Sequence, residues 1–594
     1  MISKLLSLVN TFGKKDSSIF LFIIFFSLII GILELVGIGL LAAFALLIND
    51  PSVFLDKIFI DEIRIYLKKL DKLDLIIFLS VSIFFLFIIK HLFSFFTYFI
   101  EIKIIKKITK NLKEKIYQFY LSRDYQYFLE NNKSDLINTI STQTSSFMGY
   151  IYNVLIICKE LILILIIFLG MVFIDWQIIL SLTTILFVLT YFFTKIFKKK
   201  LNEIGNRSRI LQEDEIKHLG ETYQSIKLIK LEKKENFFLD FLNSIVKKKN
   251  HYEIINYLIG KIPKIYLEII ILFLFICMVI VLINKDPDNQ AFFGMITFFA
   301  FAIIRILPAF ISLNNAYTSL AFFRSPFEII YEKLKNINFN DLNIELDNSE
   351  IDLEKVKVEN LEFTYINSKK IVLNNINFSL NKNDRLGIIG SSGSGKSTLL
   401  HLLTGLLEPT KGKVIFNNTE VKRNKNYLKN KISYLPQDSF ILDTSIKENI
   451  AFGEVNSDDE KIRYCIDVSN LKNFVEELPD KINTLVGESG SKLSHGQKQR
   501  LGLARALYFN SKLIIFDESF NALDKENEDL LLKKLEKLRN KIFIFVAHRI
   551  ETLRYCNKLL ILKDGKIVDF GETKDILIRH IDLEKYFKLN NETN

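Results

Sequence analysis

A chain of 594 residues is long enough for more than one domain. Its net charge of +11 fits partners such as nucleic acid or a membrane surface, and 49% hydrophobic residues with 53 Phe turn that choice towards membrane. The four cysteines (Cys158, Cys277, Cys465 and Cys556) form no Cys-x-x-Cys pair, so neither a disulfide framework nor a zinc site is suggested, which fits a reducing compartment.

Up to about residue 325 the chain holds six apolar runs: Ile19–Ile48, Leu73–Ile100, Leu161–Ile174, Ile178–Thr194, Leu258–Asn284 and Ala291–Leu313. Crossing a hydrocarbon layer of about 30 Å takes about 20 apolar residues as a helix. The first run is too long for a signal peptide and no small-residue cleavage site follows it. The third and fourth are interrupted only by Asp175 and Trp176, so together with their flanks they predict a tight helical hairpin. Buried helices of a large soluble core are the alternative, but two of the runs are too long and apolar for that.

The loop at 49–72 is amphipathic (Val53, Leu55, Ile58, Ile60, Ile63, Ile65, Tyr66) and predicts a short helix on the outer membrane face. Lys103, Lys106, Lys107, Lys110, Lys113 and Lys115 follow the second run, and Lys195, Lys198, Lys199 and Lys200 follow the fourth. The positive-inside rule then places both termini in the cytoplasm. It also accounts for the basic clusters without nucleic acid. The two internal segments read as helices continuing out of the membrane, with turn-like breaks at Asn131–Ser134 and Gln224–Lys227.

Charges inside apolar spans are costly and are often functional. Counted from the outer end of each span, Lys90 lies about 25 Å deep, Lys264 about 30 Å and Arg305 about 21 Å. Such a cationic band would suit an anionic phosphate or pyrophosphate head group. Internal pairing is the competing reading: Glu34, Glu160 and Glu268 fall at similar depths, Lys159 adds a fourth cation, and Lys264 with Glu268 has i,i+4 spacing.

From about Asn348 short β-rich runs (Val356–Tyr365, Arg385–Ile389, Lys431–Leu435, Leu513–Phe516, Ile542–Ala547) alternate with helical ones, an α/β pattern. Gly390, Ser391, Ser392, Gly393, Ser394, Gly395, Lys396, Ser397 and Thr398 make a complete P-loop between a strand and a helix. Its glycines let backbone N–H groups close around phosphate oxygens, and the helix N-terminus adds its positive dipole end. Lys396 would reach the β- and γ-phosphates and Ser397 would ligate Mg²⁺. Leu513-Ile-Ile-Phe-Asp517-Glu518 is an apolar strand running into two carboxylates. Asp517 can hold the metal through water, and Glu518 can polarise the attacking water.

These elements and those around them resemble the ATP-binding domain of ABC transporters over residues 351–575. Leu493-Ser494-His495-Gly496-Gln497 resembles the family signature, Gln437 the Q-loop glutamine, His548 the switch histidine and Tyr365 the aromatic that stacks on adenine. Asn521-Ala-Leu-Asp524 resembles the D-loop, and Thr484–Glu488 the segment that senses the transmembrane domain. Alone, His548 or Tyr365 would read as structural residues; in the family's order they read as one site. The resemblance implies that ATP is clamped between the P-loop of one protomer and Ser494, Gly496 and Gln497 of another, with Gln437 on the metal. One P-loop and one signature per chain therefore require a homodimer. His495 in place of the signature glycine, and Asn521 in place of the usual D-loop serine, are departures expected to be tolerated.

The expected fold class is a six-helix, all-α transmembrane exporter domain (1–325) joined by a linker (326–350) to an α/β P-loop ATPase domain (351–594). Coupling helices are expected near Asp124–Asn132 and Tyr223–Lys230. Pro263-Lys264-Ile-Tyr-Leu-Glu268, Ile304-Arg305-Ile-Leu-Pro308 and the outer segment further resemble bacterial lipid-linked oligosaccharide flippases, although Lys90 and Lys264 stand where that family would carry arginine. That likeness implies transport of a polyprenyl-pyrophosphate-linked glycan across the bacterial inner membrane, with Lys90, Lys264 and Arg305 facing the substrate. A general lipid, peptide or drug exporter is the alternative. An ATP-gated channel or regulatory subunit is disfavoured by the intact Glu518 and the absence of a large insertion.

Overall fold

The computed structural model describes residues 14–56, 61–173, 176–285, 292–335, 353–366, 368–421, 431–520, 524–546 and 549–580. It divides into two compact units, Met1–Arg123 with Asn131–Leu342, and Asp124–Glu130 with Asn343–Asn594.

The first unit is helical. Over its described residues each of the six apolar runs falls on one of the helices Lys14–Asn49, Lys72–Leu121, Thr144–Val172, Trp176–Gln224, Glu235–Lys285 and Phe292–Phe322, while Ile174 and Ala291, at the ends of the third and sixth runs, lie outside the described residues. At 1.5 Å per residue the 50-residue helix Lys72–Leu121 is about 75 Å long, more than twice the hydrocarbon thickness. The spans therefore do continue as helices beyond any bilayer. Among the described residues, Phe22–Asn49, Lys72–Leu121, Lys133–Val172 and Phe293–Phe322 are long and apolar enough to cross a membrane. The breaks expected in the internal segments fall at Asn132, which precedes helix Lys133–Asn138, and at Ser225, which precedes helix Ile226–Glu232. A π-helical turn, Thr139–Gln143, leads into the third long helix.

Ile38, Ala42, Ile167, Met278, Phe299 and Ala302 form the buried centre of the bundle. Large outward side chains, Phe84 and Phe95 among them, are more than half exposed, as lipid-facing positions are. Small residues set the closest approaches: a Cβ on Gly205 would lie 2.3 Å from the carbonyl oxygen of Phe322. The outer segment differs from the single amphipathic helix expected. It forms two short helices, Pro51–Asp56 and Asp61–Leu67, anchored by buried Phe54 and Leu67 against Leu47, Leu75 and Leu79. Ile65 is 59% exposed, and Ile58 and Ile60 lie outside the described residues. Residues 326–335, placed in the linker by the sequence, belong instead to helix Arg324–Lys335. Its amphipathic face buries Phe327, which stacks on Phe147 and Tyr150 of the first unit.

The second unit has two sheets among the described residues. Strands β1 (Lys355–Thr364), β2 (Ile371–Asn381), β4 (Lys411–Phe416) and β5 (Thr419–Glu420) form an antiparallel sheet in the order β2-β1-β4-β5. The other sheet has the order β10-β9-β3-β8-β7-β6, made from β3 (Arg385–Ile389), β6 (Ile432–Leu435), β7 (Leu513–Asp517), β8 (Ile542–Val546), β9 (Lys558–Lys563) and β10 (Lys566–Glu572). It is parallel except for β10. The sequence reading missed β2, β4, β5, β9 and β10. In β2 the polar run Asn374-Asn375 with Asn377 reads as turn chemistry, while the strand is held by Leu373, Ile376, Phe378 and Leu380 pointing inward.

Central strands covered on both faces are continuously apolar. On β7, Leu513 and Ile515 face the core shared with the antiparallel sheet, and Ile514 and Phe516 face the helical side. Phe516 stacks on Phe545 of β8 at 4.7 Å. Helix Lys396–Leu403 lies in the first of these cores through Leu399, Leu400, Leu402 and Leu403. The second unit also contains Tyr125–Glu130, one of the two expected coupling helices, whose Tyr125 ring meets His401 edge-on at 5.5 Å.

Candidate nucleotide site

Strands β3, β8, β7 and β6 are parallel neighbours, so the segments that follow them emerge at one edge of the sheet. The P-loop follows β3, Asp517-Glu518 ends β7, Gln437 lies just beyond β6, and His548 follows β8. His548, Asn521, Ala522 and Leu523 lie outside the described residues.

The P-loop has the backbone that phosphate binding needs. Gly393 and Gly395 have φ of 80° and 102°, which side-chain-bearing residues rarely adopt. A Cβ on Gly390 would lie 2.3 Å from the carbonyl oxygen of Leu562. Ser394 Oγ is buried without a hydrogen-bond partner, while Ser391, Ser392 and Ser397 are exposed. Lys396 Nζ donates to the carbonyls of Gly390 and Ser391 at 2.7 and 3.0 Å. Burial holds its ammonium below the usual value, against the opposing pull of Glu518 and Asp517. An orphaned hydroxyl, an exposed Ser397 and a lysine resting on its own loop all fit a triphosphate and its metal.

Asp517 is pushed above the ordinary carboxylate range by burial; a hydrogen bond from Tyr434 at 2.7 Å works against that shift, and Glu518 adds to it. Tyr434 is a residue the sequence reading passed over. Burial and the Asp517 carboxylate hold its phenol far above its usual value. The pairing comes from β6 lying beside β7, which no local pattern announces. Glu518 stands at φ 54°, a left-handed conformation unusual for a side-chain-bearing residue. Tyr365 packs edge-on against Phe363 at 4.9 Å, and its hydroxyl shares a 3.2 Å hydrogen bond with Thr398 in the first turn of the P-loop helix.

The signature residues start a separate helix, His495–Tyr508. Ser494 Oγ accepts from Gln497 N at 3.2 Å, while Gln497 Oε1 accepts from Ser494 N at 2.8 Å, a capping box. The remaining N–H groups of that first turn, Gly496 included, are free of intrahelical partners by geometry. His495 Nε2 lies 3.2 Å from Oδ1 of Asp438, the residue after Gln437. Gln437 is exposed, and its carbonyl accepts from Gln499 Nε2 at 3.2 Å. Asp524 caps helix Lys525–Glu536.

Comparison with known proteins agrees with this geometry. A model described as "ABC transporter transmembrane region" matches residues 18–307, and one described as "ABC transporter" matches residues 373–521. The chain belongs to the ABC transporters. The transporter is 31% identical over 306 residues to the heterocyst differentiation ATP-binding protein HepA of Nostoc sp., covering 50% of this chain and 49% of that one. It is 34% identical over 233 residues to the alpha-hemolysin translocation ATP-binding protein HlyB of Escherichia coli, covering 39% and 33%. It is 35% identical over 224 residues to the leukotoxin translocation ATP-binding protein LktB of Mannheimia haemolytica, covering 37% and 32%. The transporter thus spans about half or less of the length of these curated relatives. Its fold matches a solved bacterial Atm1-family ABC exporter with a TM-score of 0.79 at 17% identity, covering 96% of this chain and 99% of that one.

In the transporter's helical unit the intramembrane charges pair with one another. Glu34, 5% exposed, lies 3.1 Å from Lys90 and 2.9 Å from Arg305. Neither Glu34 Oε2 nor Arg305 Nε meets hydrogen-bond angles, so these contacts are Coulombic. Lys90 is 4% exposed and also lies over the Phe87 ring at 4.3 Å. Arg305 keeps 42% of its side chain exposed. Lys159 pairs with buried Glu101 at 2.8 Å. Lys264 meets Glu268 at 3.8 Å, both side chains about half exposed. The internal pairing weighed from the sequence is therefore the observed arrangement, and Glu101, not considered there, supplies the partner of Lys159.

Proposed function

We propose that the transporter is a homodimeric, ATP-driven exporter of the bacterial inner membrane, with both termini in the cytoplasm. The observation that carries this reading is the division of parts: Lys396, Asp517 and Glu518 act on one another electrostatically at one sheet edge, while Ser494 and Gln497 cap a separate helix through each other. A second copy completes the site, with Ser494 and Gly496 of the partner subunit closing on nucleotide held by Lys396.

On ATP binding Lys396 exchanges its two loop carbonyls for phosphate oxygens. Ser397, Asp517 and Gln437 would hold Mg²⁺, which offsets the charge of the phosphates. Glu518 orients and polarises the attacking water, and His548 contacts the γ-phosphate. Closure of the two copies then moves the helical bundles between inward- and outward-facing shapes. The test is ATPase activity against protein concentration in detergent. Activity should fall as the dimer dissociates; full activity in isolated monomers would overturn the reading.

For the cargo, the ion pairs favour a general lipid, peptide or drug exporter. Lys90 is buried and committed to Glu34, so it offers little to an anionic head group. The translocation named for HlyB and LktB also supports export in general. A lipid-linked oligosaccharide flippase is the second reading, and the half-exposed Arg305 is what favours it. Proteoliposomes loaded with polyprenyl-pyrophosphate glycans separate the two. ATP-dependent movement that is lost on Arg305→Ala supports the flippase; no movement leaves the general exporter.

A further inference from the structure

Asp517 ends β7, and Tyr434 lies on the neighbouring parallel strand β6, opposite Ile515. Asp517 is two residues beyond Ile515, so its side chain leaves the same face of the sheet as Tyr434. There the Tyr434 hydroxyl donates to Asp517 Oδ2 at 2.7 Å. Helix Lys396–Leu403 covers that face, and its leucines share a buried core with Ile515 and with the half-buried Tyr434 ring. His401 lies on the same helix, and its ring meets Tyr434 edge-on at 5.9 Å and 63°. It also meets Tyr125 edge-on, at 5.5 Å and 64°. A line of rings thus runs from Tyr125 through His401 to Tyr434, and from there a hydrogen bond reaches the carboxylate. Tyr125 opens helix Tyr125–Glu130, which belongs to the second unit although the chain before and after it belongs to the first.

We propose that Tyr434 is a positioning residue for Asp517, the carboxylate that would hold Mg²⁺ through water, and that Tyr125, acting through His401, sets the place of the Tyr434 ring. The proposal rests on the reading of Asp517 given above. A hydrogen bond on Oδ2 restrains the carboxylate and leaves Oδ1 to a metal-bound water. Hydrogen-bonding partners that orient a metal-holding group are worth about 10- to 100-fold in metal affinity. The edge-on ring contacts are weaker, and losing one lets the Tyr434 ring drift without removing its hydroxyl. A shift of the helix that carries Tyr125 therefore reaches the metal-holding carboxylate.

The test uses the full-length dimer with the non-hydrolysable analogue AMP-PNP and with Mn²⁺ in place of Mg²⁺. Mn²⁺ affinity is read by electron paramagnetic resonance on the nucleotide-bound protein, and AMP-PNP affinity is read separately in EDTA. Tyr434→Phe keeps the ring and removes the hydroxyl. It should weaken Mn²⁺ binding by about 10-fold, while AMP-PNP binding in EDTA stays within about twofold of wild type. Tyr125→Ala should weaken Mn²⁺ binding by about threefold, and Tyr125→Phe, which keeps the ring, should leave it unchanged. In a Tyr434→Phe background, adding Tyr125→Ala should cost less than about twofold more, because the hydroxyl it places is gone. The proposal is overturned if Tyr434→Phe binds Mn²⁺ like wild type, or if its AMP-PNP binding in EDTA falls as far as its Mn²⁺ binding, as a merely structural role would require. It is overturned equally if Tyr125→Ala leaves Mn²⁺ binding unchanged, if Tyr125→Phe weakens it as much as Tyr125→Ala, or if the losses of Tyr125→Ala and Tyr434→Phe multiply. If Asp517→Asn leaves Mn²⁺ affinity intact, the reading of Asp517 fails and the proposal with it. If Asp517→Asn weakens Mn²⁺ binding and Tyr434→Phe does not, the proposal alone fails.

Discussion

Charge is buried at the nucleotide site and among the membrane helices, and the two places stabilise it differently. At the nucleotide site Lys396 rests on two neutral carbonyls of its own loop, and Ser394 Oγ has no partner. Neutral carbonyls are readily exchanged for a triphosphate, because its oxygens carry full negative charge and add Coulombic attraction to the hydrogen bond with the ammonium. Among the helices, Glu34 lies between Lys90 and Arg305, and Glu101 takes Lys159. There each of these cations already faces a carboxylate, and an anionic ligand would have to compete with that ion pair to bind. A site kept for a ligand leaves its cation with replaceable partners, whereas a cluster that holds helices together closes on itself.

The sharpest way to break that contrast lies at the nucleotide site. Glu518→Gln should lower ATPase turnover by about 10²- to 10⁴-fold, the usual range for removing a general base, with ATP binding retained in a filter or fluorescence assay. Retained turnover would show that Glu518 is not the base. Lys396→Ala should abolish ATP binding in the same assay.

The next largest effect is expected in the membrane. Glu34→Leu leaves Lys90 buried without its anion and should cost about 3–5 kcal/mol of stability, read as a lowered melting temperature in detergent. Glu34→Leu with Lys90→Leu together should recover most of that loss. Equal destabilisation of the single and double variants would mean that the pair does not hold the helices.

A smaller expected change is the slope of stability with pH contributed by Lys541. This amine is 8% exposed, donates to Asn510 and Ser511, and is pushed down to about 8 by burial. The unfolded chain keeps that proton to higher pH, so in this window the unfolded state binds more protons. The Lys541 contribution to stability should therefore rise as pH increases from about 8 towards 10. Lys541→Met should flatten the rise in melting temperature over that interval; an unchanged slope would sink the assignment. Smallest of all, Lys264→Gln breaks an i,i+4 pair with half-exposed partners and should change stability by about 0.5 kcal/mol or less.

Much of the nucleotide site was legible in the sequence because its parts are short and chemically constrained. A P-loop needs glycines at fixed places before Lys396, and a buried strand ending in Asp517-Glu518 needs an unbroken apolar run. The strand Ile371–Asn381 was not legible, since its asparagines mimic a turn and only its neighbours β1 and the P-loop helix bury its alternate residues. The outer segment was half legible: its helical character was readable, but its anchors Phe54 and Leu67 depend on Leu47 and Leu75 of other helices.

Length, hydropathy and local motif by themselves determined a six-run membrane half, an α/β half and the residues that meet phosphate, because each depends on neighbours close along the chain. Tertiary structure alone decided which charges are spent on one another. Glu34 with Lys90 and Arg305, Glu528 with Arg549, and Tyr434 with Asp517, the last 83 positions apart, meet only once strands and helices are laid side by side. The physical reason is that a Coulombic or hydrogen-bonded contact falls off over a few ångströms, and sequence separation says nothing about ångströms beyond the reach of one helix turn or one loop.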